Sequence, residues 1–187
     1  MKKRNILGAL GASALAALCF VACGPSISDQ IVGSYKYEAQ WNEPETEQAF
    51  ARDISFEEMD TFGEDKAYTE EGTKAVTYYI NEDGRELSAK LYFNYVRTGT
   101  WKIEYEDGKE WLVINGLTNE TTFDKYELSE DDPILEAWAK QMGEDIANDE
   151  KEDDSWASEH NFIFVDVNEN TLTYETKSET INLTRIK

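Results

Sequence analysis

Residues 86–98 constrain this chain more than any other stretch. Leu87, Ala89, Leu91, Phe93 and Tyr95 alternate with Ser88, Lys90, Tyr92 and Asn94. A period of two places the first set on one face of a strand and the second on the other. The apolar set is expected inside. Turn signals stand on both sides of this region. Asn81-Glu82-Asp83-Gly84 precedes it and Glu106-Asp107-Gly108 follows it, and the glycine in each supplies the positive φ that a tight hairpin needs.

The same pattern recurs along the chain. Residues 31–39, 51–62, 66–68, 73–80, 101–105, 110–115 and 121–128 read as strands. Residues 40–50 read as a polar loop, 70–73 as a turn, and Gly99-Thr100 as a bend. In 51–62 the residues expected to be buried are Ile54, Phe56 and Met59. The period then changes. Asp132 stands as an N-cap before Pro133, with acids against the helix dipole. Leu135, Trp138, Met142 and Ile146 fall on one face at helical spacing. This helix is expected to pack on a sheet as a lid or strut. Residues 149–154 read as a charged exit, and 161–168, 171–176 and 180–186 as closing strands. Successive tight hairpins favour neighbouring antiparallel strands. Closure hides the edges that an open sheet would expose. The expected fold is therefore all-β: an antiparallel up-and-down barrel of about eight to ten strands, with one amphipathic helix inserted before the last strands.

The N-terminus carries a different signal. Lys2, Lys3 and Arg4 precede a small and apolar run from Ile6 to Ala22. That run is short for a spanning helix and has the layout of a secretory signal. Leu18-Cys19-Phe20-Val21-Ala22-Cys23 resembles a bacterial lipoprotein signal, in which a small residue precedes the cysteine that is acylated. The resemblance implies a signal peptide over 1–22, lipid attachment at Cys23 and a lipidated tether over 23–30. Residues 31–187 form the barrel domain. Gly24 carries no acidic retention residue, so the resemblance favours the outer membrane; whether the domain faces the periplasm or the exterior stays open.

Composition narrows the partners. The chain carries a net charge of −21, of which residues 2–4 contribute +3. Nucleic acid and anionic membrane surfaces would repel such a chain. Both cysteines lie in or at the end of the signal, so the domain is expected to have no disulfide. His160 is the single histidine. No Cys–His pair remains, a catalytic zinc site lacks its several His or Cys ligands, and a Ser–His–acid triad would need His160, for which nothing supplies the geometry. His160 reads as a surface residue. Asp166-Val167-Asn168-Glu169-Asn170 echoes the start of a calcium loop, but Thr171 replaces the required glycine. It reads as a hairpin turn. A non-enzymatic monomer without metal or cofactor is the expectation.

Three short stretches resemble the lipocalin-like lipoproteins of Bacteroidetes: Ile31-Val32-Gly33-Ser34-Tyr35, Gly99-Thr100-Trp101-Lys102-Ile103 and Ile181-Asn182-Leu183-Thr184-Arg185. The resemblance implies a calycin-like barrel whose first and last strands meet. It implies that Gly33, Tyr35 and Arg185 close the barrel, with Arg185 stacked on Tyr35 in a cation–π contact. An eight-stranded barrel is either filled by side chains or holds one small ligand. Tyr37, Phe56, Tyr78, Leu91, Phe93 and Trp101 would line such a cavity or form the core. Two functions are therefore expected: an envelope-anchored module binding a small apolar or amphipathic molecule, or a solid barrel binding another envelope protein or a glycan.

Overall fold

The computed structural model describes residues 26–46, 50–82 and 84–186. The signal segment, Cys23 and the first residues of the tether lie outside the described residues. A short helix, α1 (Ile27–Ile31), is capped by Ser26 and precedes eight strands. These are β1 (Gly33–Glu43), β2 (Ala51–Phe62), β3 (Ala67–Glu82), β4 (Arg85–Glu106), β5 (Lys109–Leu128), β6 (His160–Val167), β7 (Thr171–Glu175) and β8 (Thr180–Arg185). A long helix, α2 (Pro133–Glu152), and a short 3-10 turn (Asp154–Ala157) lie between β5 and β6. Each strand pairs antiparallel with the next, and β8 returns to β1, so the sheet is a closed up-and-down barrel.

Several expected breaks are absent, and the long strands explain why. The turn expected at 70–73 and the short strand before it merge into β3. Gly72 sits on this strand facing Glu58 and Tyr95. A Cβ there would lie 2.6 Å from the Tyr95 hydroxyl and 2.9 Å from the Glu57 carbonyl oxygen. Glycine marks a close approach here, not a turn. Gly99-Thr100 likewise shifts the register of β4 against β5 without ending the strand. The expected strands 110–115 and 121–128 are joined through Gly116, at φ 63°. Residues 40–43 extend β1 and do not begin the loop. Met59 points outward and is exposed, because Asp60 takes the inward position. Asn168 turns the chain between β6 and β7, its Oδ1 accepting from the Asn170 and Thr171 amides.

The helix begins as expected, with the Asp132 carboxylate accepting from the Ile134 and Leu135 amides. Its placement is the main departure. It packs on the inner face of the long strands, where it shares a core with Leu87, Ala89, Leu91 and Phe93. The buried stripe is Leu135, Ala139, Gly143 and Ala147, with Trp138, Met142 and Ile146 partly buried beside it. Small residues one turn apart let the helix axis approach the sheet closely. A Cβ at Gly143 would lie within 2.6 Å of the Phe123 ring. The helix fills the upper bore because, among the described residues, β6 meets β5 from Trp111 to Ile114 and no strand pairs with the upper half of β5 on that side.

Candidate functional site

The bore divides into three layers. At the closed end Ile31, Tyr35, Phe62, Trp101, Leu112, Leu172 and Leu183 form a buried core. At the opposite end, the mouth, α2 and β2–β5 form a second core. Charged and phenolic side chains lie between them at the waist. Their positions follow from strand parity. Glu58 and Asp60 share the face of Ile54 and Phe62, Glu70 shares that of Tyr68 and Val76, and Arg97 shares that of Tyr95 and Trp101.

The waist is tightly bonded. Tyr68 donates its hydroxyl to Asp60 through a short hydrogen bond and lies 3.3 Å from Glu70. Arg97 pairs with Glu70, and its guanidinium stands 4.6 Å from the Tyr95 ring centroid. Tyr95 donates to Glu58 at 2.5 Å. Burial pushes the Glu70 carboxyl up to about 7, with the Arg97 charge opposing. Burial, reinforced by the Glu70 charge, holds the Asp60 carboxyl well above the usual carboxylate range. Burial raises the Tyr68 and Tyr174 phenols in the same way. The hollow left among Glu58, Asp60, Glu70, His160 and Tyr174 measures about 90 Å³, large enough for water but small beside a ligand pocket of about 300–1,000 Å³. Among the described residues, no group of three or more His, Cys, Asp or Glu is arranged to hold a metal ion.

The six interior residues expected to line a cavity all face the bore, but they do not share one space. Trp101 lies in the closed-end core, with its indole donating to the Gly63 carbonyl at 3.1 Å. Tyr37 packs against that same core from the waist side. Phe56, Tyr78, Leu91 and Phe93 belong to the mouth-side core and pack with α2. His160 is half-buried at the start of β6 and lines the waist hollow, rather than standing on the surface. Arg185 lies 4.8 Å from the Tyr35 ring centroid. Its guanidinium donates to the Tyr35 hydroxyl, to the Gln30 carbonyl and to the Val32 carbonyl. Gly33, at φ +145°, makes room for it: a Cβ there would lie 3.2 Å from the Arg185 Nη1.

The apolar opening is at the mouth. Phe50, Ile80, Leu87, Leu135 and Trp138 enclose a cleft of about 260 Å³. A second hollow of about 260 Å³ shares Ile80 and Leu87 with it and extends toward Tyr79. Ile134 stands at the rim and is 80% exposed. Phe50 and Tyr78 each meet the Trp138 ring edge-on, at 6.0 and 5.6 Å between centroids. Larger hollows of about 510 and 540 Å³ lie on the outer face of β1–β4, but their walls are charged and open, with Glu38, Glu57, Lys36 and Lys90 among them. A cleft walled by aromatic and aliphatic groups with a few polar atoms is the better small-molecule site.

The waist acids went unread in the sequence, although the signal was present. Glu58, Asp60 and Arg97 are charged residues at the parity of buried neighbours in segments read as strands, whereas Glu70 joins them only because β3 runs through the expected turn at 70–73. The chain matches no known protein-family model and no curated protein, so its function is argued from this geometry.

Proposed function

We propose that the protein is an envelope-anchored lipoprotein, lipidated at Cys23, whose lipocalin-like barrel is a non-catalytic module for a small apolar or amphipathic molecule. The apolar mouth cleft carries this reading. The bore itself is occupied by α2, by the closed-end core and by the waist, so the ligand's apolar part enters between Ile80, Leu87, Leu135 and Trp138. Asn81 and Asp132 at the rim meet its polar end. At 260 Å³ the cleft lies below the span of drug-sized sites, about 300–1,000 Å³, and suits part of a chain or a single ring system. The anchor belongs to the other end. On β4, Leu87 in the mouth-side core and Trp101 in the closed-end core stand about 45 Å apart along the strand at ~3.3 Å per residue, and α1 packs beside Trp101.

The test uses the chain with Cys23→Ser, which removes the proposed acylation. A lipophilic fluorescent dye should bind saturably at one per chain, and Ile134→Glu should weaken it at least tenfold. Absence of saturable binding would end this reading. The alternative, a solid barrel that binds an envelope protein or a glycan, is favoured by the small interior hollow. It predicts partner capture that Ile134→Glu or the outer face of β1–β4 controls, with no dye bound. Lipidation is tested separately, by incorporation of labelled palmitate that Cys23→Ser abolishes.

A further inference from the structure

A bonded chain runs from the waist to the helix. Glu70 holds Arg97. Arg97 Nε donates to the Asn119 Oδ1 at 3.4 Å. Asn119 Nδ2 donates to the Glu150 carbonyl at 2.7 Å, in the last turn of α2. Two further contacts seat the same turn: Lys74 Nζ lies 2.5 Å from the Glu150 carboxylate, and the Thr121 hydroxyl donates to it at 3.1 Å. The end of the helix is thus held by side chains that reach back to buried acids.

We propose that the waist is a proton-operated latch: protonation of Glu70 releases Arg97 and loosens the Arg97–Asn119–Glu150 chain that seats the C-terminal turn of α2. Deprotonation of Glu70 restores it. The surroundings set the direction. Facing Glu70 are Glu58 and Asp60 from β2, Tyr68 from its own strand, and Tyr95 and Arg97 from β4. His160 from β6 and Tyr174 from β7 line the same hollow, and Tyr37 of β1 lies near Glu58 and Tyr174; at the helix end of the bonded chain stand Lys74 and Glu150, with the neutral Asn119 and Thr121 of β5. The acids outnumber the cations, and one guanidinium serves the Glu58–Asp60–Glu70 group. When Glu70 becomes neutral, Arg97 loses its charged partner inside the barrel. It is then drawn across the Tyr95 ring toward Glu58, away from Asn119. The carboxyl of Glu70, lifted to about 7 by burial, places the change near neutrality.

The experiment follows two signals in the Cys23→Ser chain from pH 5 to 9. Carbon-13 NMR reports the side-chain carboxyls, and amide hydrogen exchange, normalised to intrinsic rates, reports residues 147–151. A waist carboxyl should titrate near neutrality, and protection of the last turn should fall at least tenfold on its acid side. Glu70→Gln should keep the acid-side protection at every pH. Constant protection through the carboxyl titration would overturn the latch. So would titration of every carboxyl in the ordinary range, a result that needs no variant to fold. Because α2 also walls the mouth cleft, dye affinity should change over the same pH interval; this consequence alone rests on the proposed ligand reading. If protection moves and dye is never bound, the latch stands and the ligand reading fails.

Discussion

Lys74 Nζ lies 2.5 Å from the Glu150 carboxylate, joining the inner face of β3 to the last turn of α2 inside the barrel. Both side chains are mostly buried, at 18% and 23% exposed. Lys74 also approaches the Phe56 and Phe93 rings at 5.8 Å. Removing one partner leaves the other charge in a poorly solvated place. Lys74→Met should cost about 1–3 kcal/mol, and adding Glu150→Gln should recover part of it. A double-mutant cycle by urea denaturation gives the coupling, and strict additivity would show that the pair is not coupled.

Gly143 lets the helix pack directly against the Phe123 ring of β5. Alanine there gains about 1 kcal/mol in helix propensity, yet its Cβ would lie within 2.6 Å of the Phe123 ring. Overpacking of that kind costs about 1–3 kcal/mol, so Gly143→Ala should be net destabilising. Phe123→Leu in the same chain should relieve the clash. Thermal unfolding of the single and double variants decides it; a stabilised Gly143→Ala would mean that the helix stands off the strands.

The barrel seam depends on a fork, not only on a charge. Strand pairing of β1 with β8 is confined to Tyr35–Arg185 and Lys36–Thr184, with the Ile186 amide donating to the Ser34 carbonyl at 2.8 Å. Arg185 adds donors to Gln30, Val32 and Tyr35 that a lysine cannot supply together. Arg185→Lys should cost roughly 1–3 kcal/mol and speed hydrogen exchange at Ile186. Unchanged exchange there would remove Arg185 from the closure.

Stability should fall as pH rises through the waist. The Glu70 carboxyl lies at about 7 in the folded chain against an ordinary 4.5. Between these values the native state binds more protons than the unfolded one, so stability is full below about 4.5 and is lost as pH climbs through about 7. A displacement of that size is worth on the order of 3 kcal/mol. Asp60, raised in the same direction by burial, adds to the slope. Thermal midpoints should therefore decline from pH 5 to pH 8, and Glu70→Gln should flatten the decline. An equal slope in that variant would assign the effect to the remaining acids of a chain carrying −21.

Much of this architecture was legible because alternation is a local property. The odd-numbered residues from Leu87 to Tyr95 are buried as their spacing requires, and the Asp132-Pro133 signal starts the helix where it stands. Strand length was not legible. Gly72, Gly99 and Gly116 resemble turn residues, whereas each accommodates a close approach or a register shift within a longer strand. The helix face stands as its spacing requires, with Leu135, Trp138, Met142 and Ile146 all packed against the core, but its line of closest contact was not legible. Leu135, Trp138, Met142 and Ile146 are the large apolar residues, but Ala139, Gly143 and Ala147 make the close contact. Whether a helix covers a sheet or enters it depends on the length of its neighbours, and that is fixed by strands far away in sequence. The waist was hidden by composition, since its few inward acids stand among 39 in the chain.

The most direct measurement is a backbone and methyl NMR titration of the Cys23→Ser chain with a short-chain amphiphile. Signals from Ile80, Leu87, Ile134, Leu135 and Trp138 should shift together and saturate at one ligand per chain. Those from Leu112, Leu172 and Leu183 in the closed-end core should stay fixed. Saturable shifts in the closed-end core, or none at the mouth, would contradict a barrel whose filled bore leaves only its mouth for a ligand.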